Sequence, residues 1–181
     1  MNFKKNIIEE IGLDWIQEDW IEGKELRKLL LQTGDHTIPF KEVRGNLDLG
    51  GTQIKDLGNL EKVEGNLNLY GKQIKDLGNL QSVGGSFNLY ETKIKDLGNL
   101  RSVGSYLYFY KTPIEDLGNL QSVGGHLYLG GTQIKDLGNL QSVGGDLSLK
   151  GTPISKTHSE EQIRRMVRVE RDIYLSWEEK I

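Results

Sequence analysis

Leu77-Gly78-Asn79-Leu80-Gln81-Ser82-Val83-Gly84-Gly85 returns unchanged at Leu117 and Leu137, and with small substitutions at Leu57 and Leu97. The step is 20 residues each time, and the register G-x-L-x-L-x-x-T-x-I-K-D-L-G-N-L-x-x-V-G runs without insertion from Gly45 to Asp146. A constant period of this length predicts a solenoid, in which one supersecondary unit is copied and each copy stacks on its neighbours. The copies also form an internal alignment. Columns that stay fixed report what stacking requires, and columns that drift are where function is sought.

At 181 residues the chain fits one domain, and a solenoid of that length buries a continuous core although no single coil could. Net charge is −3 and the pI is near 5.7, which provides no basic field for nucleic acid. There are no cysteines, hence no disulfide framework and no thiolate metal site. The three histidines, His36, His126 and His158, are scattered along a periodic scaffold and do not form a ligand cluster. Acidic residues interrupt every apolar stretch of the N-terminus before a signal-peptide core can form, and no window reaches a transmembrane length. These features predict a cytoplasmic protein with no cofactor, no metal and no membrane partner. Alanine is absent while Lys, Ile and Asn are plentiful, a bias that suits an AT-rich bacterial or phage genome.

Three segments are expected within one domain: a helical N-terminal cap over 1–36, the solenoid over 37–155, and a C-terminal capping coil over 156–181. The apolar spacing of Ile7, Ile8, Ile11, Trp15, Ile16, Trp20 and Ile21 reads as helix, and a second helical piece runs from about Lys24 to Gln32. Both would cover the open end of the first coil. Strands are predicted at 47–49 and every 20 residues thereafter to 147–149, parallel and about 4.8 Å apart. After Ile154 the register breaks. Ser159-Glu160-Glu161-Gln162 offers a capping box for a short helix, and Val169-x-x-x-Ile173-Tyr174-Leu175 repeats the spacing of Val143-x-x-x-Leu147-Ser148-Leu149, so the last coil carries a helical insertion. Trp177 and Ile181 would close that end.

Leu47, Leu49, Ile54, Leu57, Leu60, Val63 and their equivalents are apolar in essentially every copy and are predicted as core. Leu47 and Leu49 mark a strand with one buried face, and the three-residue steps from Ile54 to Val63 describe an inward-pointing return path. Every Gly-Asn pair, Gly58-Asn59 being the first, suits a turn whose amide bonds backbone of an adjoining coil. The adjacent Lys and Asp columns read as a solvated face, since paired carboxylates for acid–base work need differing environments.

Val63-Glu64-Gly65-Asn66-Leu67-Asn68-Leu69, preceded by Leu57-Gly58-Asn59-Leu60, resembles the coil of the leucine-rich-repeat superfamily, most closely its receptor L-domain-like branch. The resemblance covers about 38–155. It implies an α/β right-handed solenoid with a parallel sheet on one face, and recognition of other macromolecules through that face. The chain departs from the usual pattern in placing Thr52, Thr92, Thr112, Thr132 and Thr152 where Asn is common, and in lacking receptor-type cysteines.

If the strand leucines point in, residues 46, 48 and 50 of each coil point out. All seven tyrosines then face outward: Tyr70, Tyr90, Tyr106, Tyr108, Tyr110, Tyr128 and Tyr174, with His126 among them. Strand propensity favours tyrosine, but propensity alone would spread it over every coil, whereas three of the seven lie on one strand. Tyrosine gives contact area at low entropy cost and is enriched at interface hot spots. The expected function is a non-catalytic protein-binding module, either an intracellular inhibitor encoded by a phage or bacterium, or an adaptor. A glycan partner is the alternative, with Asn88, His126 and Asp146 beside the rings. Ice binding through the threonine column is a remote third. No nucleophile–base pair, metal spacing or phosphate loop points to an enzyme.

Overall fold

The computed structural model describes residues 19–176. Within them the 20-residue period becomes a parallel β-solenoid of about six turns. Each Leu-x-Leu segment supplies a two-residue strand, from Leu47–Asp48 through Leu67–Asn68, Phe87–Asn88, Leu107–Tyr108, Leu127–Tyr128 and Leu147–Ser148 to Ile173–Tyr174, and these form one seven-stranded sheet. The pairing is in register at one coil per step, Leu107 opposite Phe87 and Leu127, so equivalent residues stack in straight columns.

A single sheet was expected, and the structure has two. The segments read as a return path extend at Lys62–Val63, Ser82–Val83, Ser102–Val103, Ser122–Val123 and Ser142–Val143, and with Trp20–Glu22, Glu42–Arg44 and Arg168–Val169 they make an eight-stranded parallel sheet. The reason is backbone satisfaction. A stretch extended for even two residues must place its N–H and C=O groups, and the identical stretch one coil away is the available partner. Only the valine of each pair points inward, so no alternation announces the strand.

Core residues from both sheets and from the turns between them meet in one interior. Leu47, Leu49, Ile54, Leu57, Leu60 and Val63 and their equivalents through the sixth coil are buried, as are Phe87 and Phe109, which take leucine positions, and Leu175 of the last coil is partly buried against them. The charged columns serve the turn. Asp96 Oδ1 accepts the Gly98 N–H at 2.6 Å and Asp136 Oδ1 that of Gly138 at 2.9 Å, and Asn119 Nδ2 donates to Gly98 O of the preceding coil at 2.9 Å. Gly118 holds φ of 56°, the left-handed region that this turn requires. At the other corner a Cβ on Gly104 would come within 2.0 Å of Gly84 O, so here it is close backbone approach that demands glycine.

The N-terminal expectation needs correction at Trp20 and Ile21. Trp20–Glu22 is a strand, paired parallel to Glu42–Arg44 with Ile21 opposite Val43. Ile21 thereby joins the valine column as its first member, and the exposed edge of the eight-stranded sheet supplies hydrogen bonds that outweigh local helical preference. The Arg44 guanidinium lies 3.6 Å from the centroid of the Trp20 ring. The helix that follows, α1 (Gly23–Thr33), buries Leu26, Leu29 and Leu30 against the first coil and ends on Gly34, whose N–H donates to Leu30 O at 3.1 Å. Trp15, Trp177 and Ile181 lie outside the described residues.

At the other end Ser159 caps α2 (Glu160–Met166) reciprocally with Gln162, the expected capping box. Arg168–Val169 and Ile173–Tyr174 then rejoin the two sheets opposite Ser142–Val143 and Leu147–Ser148, so the helix is an insertion in an otherwise ordinary coil. Arg164 secures it by donating to Val169 O at 3.0 Å and to Arg171 O at 2.8 Å.

Candidate recognition surface

Outward positions of the seven-stranded sheet fall into three columns. In the first, side chains accept the next coil's backbone: Asn46 Oδ1 from Asn66 N–H at 2.8 Å, Asn66 Oδ1 from Ser86 N–H at 2.6 Å, His126 Nδ1 from Asp146 N–H at 2.9 Å, and Asp146 Oδ1 from Asp172 N–H at 3.2 Å. The second column begins with Asp48, Asn68 and Asn88, each of which accepts the N–H two residues on, at 2.9 to 3.1 Å. These polar groups are committed to the scaffold. Asn88, His126 and Asp146, the residues expected to flank sugar rings, are all among them.

The aromatic residues assemble into two clusters. Tyr106 and His126 stack with centroids 5.0 Å apart and planes 9° from parallel, Tyr108 and Tyr128 at 5.3 Å and 7°, and cross contacts Tyr106–Tyr108 and His126–Tyr128 join the pairs. In the third column Tyr70, Tyr90 and Tyr110 form a ladder with 5.0 Å steps. That step is close to the strand spacing; Tyr90 and Tyr110 stack with planes 28° from parallel, and Tyr70 is tilted by 46° against Tyr90. Tyr174 lies two strands beyond Tyr128, with Ser148 in the rung between and the Lys150 ammonium 5.0 Å over its ring. Burial first, and neighbouring Tyr106 second, raises the Tyr108 hydroxyl pKa above its ordinary value; burial and then Tyr108 do the same to Tyr128. Both hydroxyls therefore stay neutral donors and acceptors across the physiological range.

Beside the ladder are two residues that column-by-column reading overlooked. Gly51, Gly71, Gly131 and Gly151 close the turn after the strand with φ of 67° to 77°, but Glu91 and Lys111 hold the same position at 57° and 55°. A side chain in this region costs of order 1 kcal/mol or more, a strain that recurs at functional sites. Lys111 Nζ pairs with Glu91 Oε1 at 3.0 Å and lies 5.7 and 5.8 Å from the Tyr110 and Tyr90 centroids. The signal was available as two charged breaks in a glycine column.

The threonine column turns the other way. Thr52, Thr92, Thr112, Thr132 and Thr152 are buried, and Thr52, Thr132 and Thr152 Oγ1 donate to the carbonyl three residues back at 2.6 to 2.7 Å. They present no threonine surface, and the ice reading is dropped. Lys72, which interrupts the column, folds over it and donates to Thr52 O at 2.6 Å, with burial lowering its ammonium pKa.

A concavity of about 410 Å³ lies elsewhere, a groove along Ser82, Ser102, Ser122 and Ser142 on the eight-stranded sheet. It has charges only toward its ends, at Lys62, Arg168 and Glu170, and no aromatic group, so its size carries less weight than the chemistry of the tyrosine face. Among the described residues no group of three or more His, Cys, Asp or Glu could hold a metal ion, and no helix is long and apolar enough to cross a membrane. No protein-family model matches the chain, and neither a curated protein nor a solved structure is detectably similar to it.

Proposed function

We propose that this chain is a non-catalytic recognition module that binds a protein partner through its tyrosine face. The observation that carries the reading is the clustering of Tyr70, Tyr90, Tyr106, Tyr108, Tyr110 and Tyr128, with His126, on contiguous strands of one sheet, four of the tyrosines in the fourth and fifth coils. Pre-stacked rings lose little entropy on binding, and exposed rings with neutral hydroxyls suit the mixed apolar and hydrogen-bonding surface of a protein. A glycan would seek ring faces, and in the pairs Tyr106–His126, Tyr108–Tyr128 and Tyr90–Tyr110 one face of each ring is turned to its stacking neighbour. The leucine-rich-repeat resemblance, with its right-handed α/β coil and recognition through the sheet, is consistent with this use. A binding face of this kind serves to occlude a partner or to bridge two, and we read the chain as an intracellular inhibitor or adaptor, bacterial or phage-encoded.

The test is to change Tyr106, Tyr108 and Tyr110 together to Ser. Stacked cross-strand pairs are each worth at most about 1 kcal/mol, so the variant should remain folded. Partner recovered from the source cell with the parent protein should be lost, since central aromatic anchors cost about 2 kcal/mol or more apiece. The Lys55→Ser, Lys75→Ser control should retain it. Equal recovery with the tyrosine variant would sink the proposal.

A further inference from the structure

The polar groups of the tyrosine face are unevenly committed. Asn46, Asn66, His126 and Asp146 accept backbone N–H groups of the next coil, and Asp48, Asn68 and Asn88 accept within their own, so the side-chain acceptors are engaged. The donors are not. Among the described residues nothing hydrogen-bonds the hydroxyls of Tyr70, Tyr90, Tyr106, Tyr108, Tyr110 or Tyr128, and a phenolic O–H is a better donor than acceptor. Lys111 and Glu91, beside Tyr90 and Tyr110, are paired with each other at 3.0 Å, so the border of the Tyr70–Tyr90–Tyr110 ladder is polar without selecting a sign of charge.

The ladder also has a period. Its rings rise in two steps of 5.0 Å and are splayed by 46° and 28°, and the end rungs Tyr70 and Tyr110 are 52% and 58% exposed. A ligand lying along the solenoid axis and touching both end rungs must repeat in roughly 10 Å at strand spacing. A polyproline II helix turns once in about 9.3 Å, which returns residues three apart to every second rung. A β-strand repeats in roughly 6.6 Å and falls out of step. An α-helix, with a pitch of about 5.4 Å, would keep step, but its carbonyls are bonded internally and cannot answer the hydroxyls.

We infer that the Tyr70–Tyr90–Tyr110 ladder docks a proline-rich segment of a protein partner in the polyproline II conformation, with prolines three residues apart seated on Tyr70 and Tyr110 and tyrosine hydroxyls donating to the carbonyls between them. The inference rests on the reading of the tyrosine face as a protein-binding surface and specifies its ligand. Chemistry and pitch agree. Polyproline II has no internal hydrogen bonds, so each carbonyl is open to a donor, and proline has no N–H that would demand an acceptor from a face whose acceptors are engaged. Such a segment is also preformed and loses little entropy on docking against aromatic side chains.

The probe is a phage-displayed library of random dodecapeptides selected on the whole parent protein. Recovered clones should carry prolines three residues apart, lose binding when those prolines become Ala, and bind the Tyr70→Ser, Tyr110→Ser variant at least about tenfold more weakly than the parent. Tyr90→Phe with Tyr110→Phe keeps the rings and removes two donors; binding should weaken several-fold while the thermal melt matches the parent's. Unchanged binding to that variant would overturn the match of hydroxyl to carbonyl, and with it the choice of polyproline II. Ladder-dependent clones without spaced prolines would overturn the ligand class. Clones that lose binding to Tyr106→Ser, Tyr108→Ser but hold the Tyr70→Ser, Tyr110→Ser variant as tightly as the parent would overturn the ladder as the site, and both of these last results leave the tyrosine face standing. Clones indifferent to every tyrosine variant, or a selection that yields no binder, would remove the face as well.

Discussion

The two sheets of this solenoid share one backbone path, one register and one core, and differ in what they show to solvent. On the eight-stranded sheet the outward residue is Ser82, Ser102, Ser122 and Ser142 in four successive coils. On the seven-stranded sheet the outward residues change from Asn, Asp and Ser through Tyr and His to Asp, Lys and Tyr. Stacking makes equal demands on both, so it cannot be the source of the variation on one. The uniform face records the copying of a unit, and the varied face records what was altered after copying.

The strongest way to break that comparison is to show that the sheets do not depend on a common core. Leu107 is fully buried beneath the most tyrosine-rich strand, and Leu107→Asp would place an unpaired carboxylate there. The cost should be about 4 kcal/mol or more, a large part of the stability of an ordinary domain, so circular dichroism should show both sheets melting together or absent. Removing a whole coil, residues 65–84, keeps every column in register and should leave a shorter folded protein. Were the deletion as damaging as the single substitution, the separability of coils would be refuted.

A smaller effect sharpens the reading of the uniform face. Gly104→Ala puts a Cβ within 2.0 Å of a carbonyl oxygen in the preceding coil, which cannot be relieved by a side-chain rotation, and should cost about 2 kcal/mol or more in denaturant titrations. Ser122→Ala, on the adjacent strand, should stay within about 0.5 kcal/mol of the parent. A large loss at Ser122 would mean that the serine column is a structural demand after all.

Much of this was open to reading from the chain. The period announced the solenoid, the six apolar columns announced the core, and the spacing of Val169 and Ile173 announced the interrupted last coil. The second sheet was hidden because its strands are two or three residues long with one inward side chain each, too little to show a period. Trp20–Glu22 was misread because its fate depends on an edge 22 residues away, with Ile21 matched to Val43. At the surface, the outward tyrosines followed from alternation with Leu47 and Leu49, but nothing in a linear pattern shows that Asn88, His126 and Asp146 turn back onto backbone. The threonines were invisible for a similar reason: residue 52 follows a turn, and its hydroxyl reaches Leu49 O instead of solvent.

The smallest expected effect concerns Glu91 and Lys111, and its sign matters more than its size. Both sit at φ values that their glycine equivalents hold freely, so Glu91→Gly and Lys111→Gly each relieve a cost of about 1 kcal/mol. Against this, each glycine adds unfolded-state entropy, while the solvent-screened Lys111–Glu91 pair, with side chains 57% and 39% exposed, contributes little. The double variant should therefore gain up to about 1 kcal/mol, a rise of roughly 2 to 4 °C in Tm. Binding should move the opposite way, weakening several-fold as the charges bordering Tyr90 and Tyr110 are removed. A protein that becomes more stable and binds less well would show that these turns hold strain for the sake of recognition, as the uniform sheet has no need to do. A lower melting temperature with unchanged binding would instead make Glu91 and Lys111 ordinary structural residues, and the contrast between the two faces would rest on the tyrosines alone.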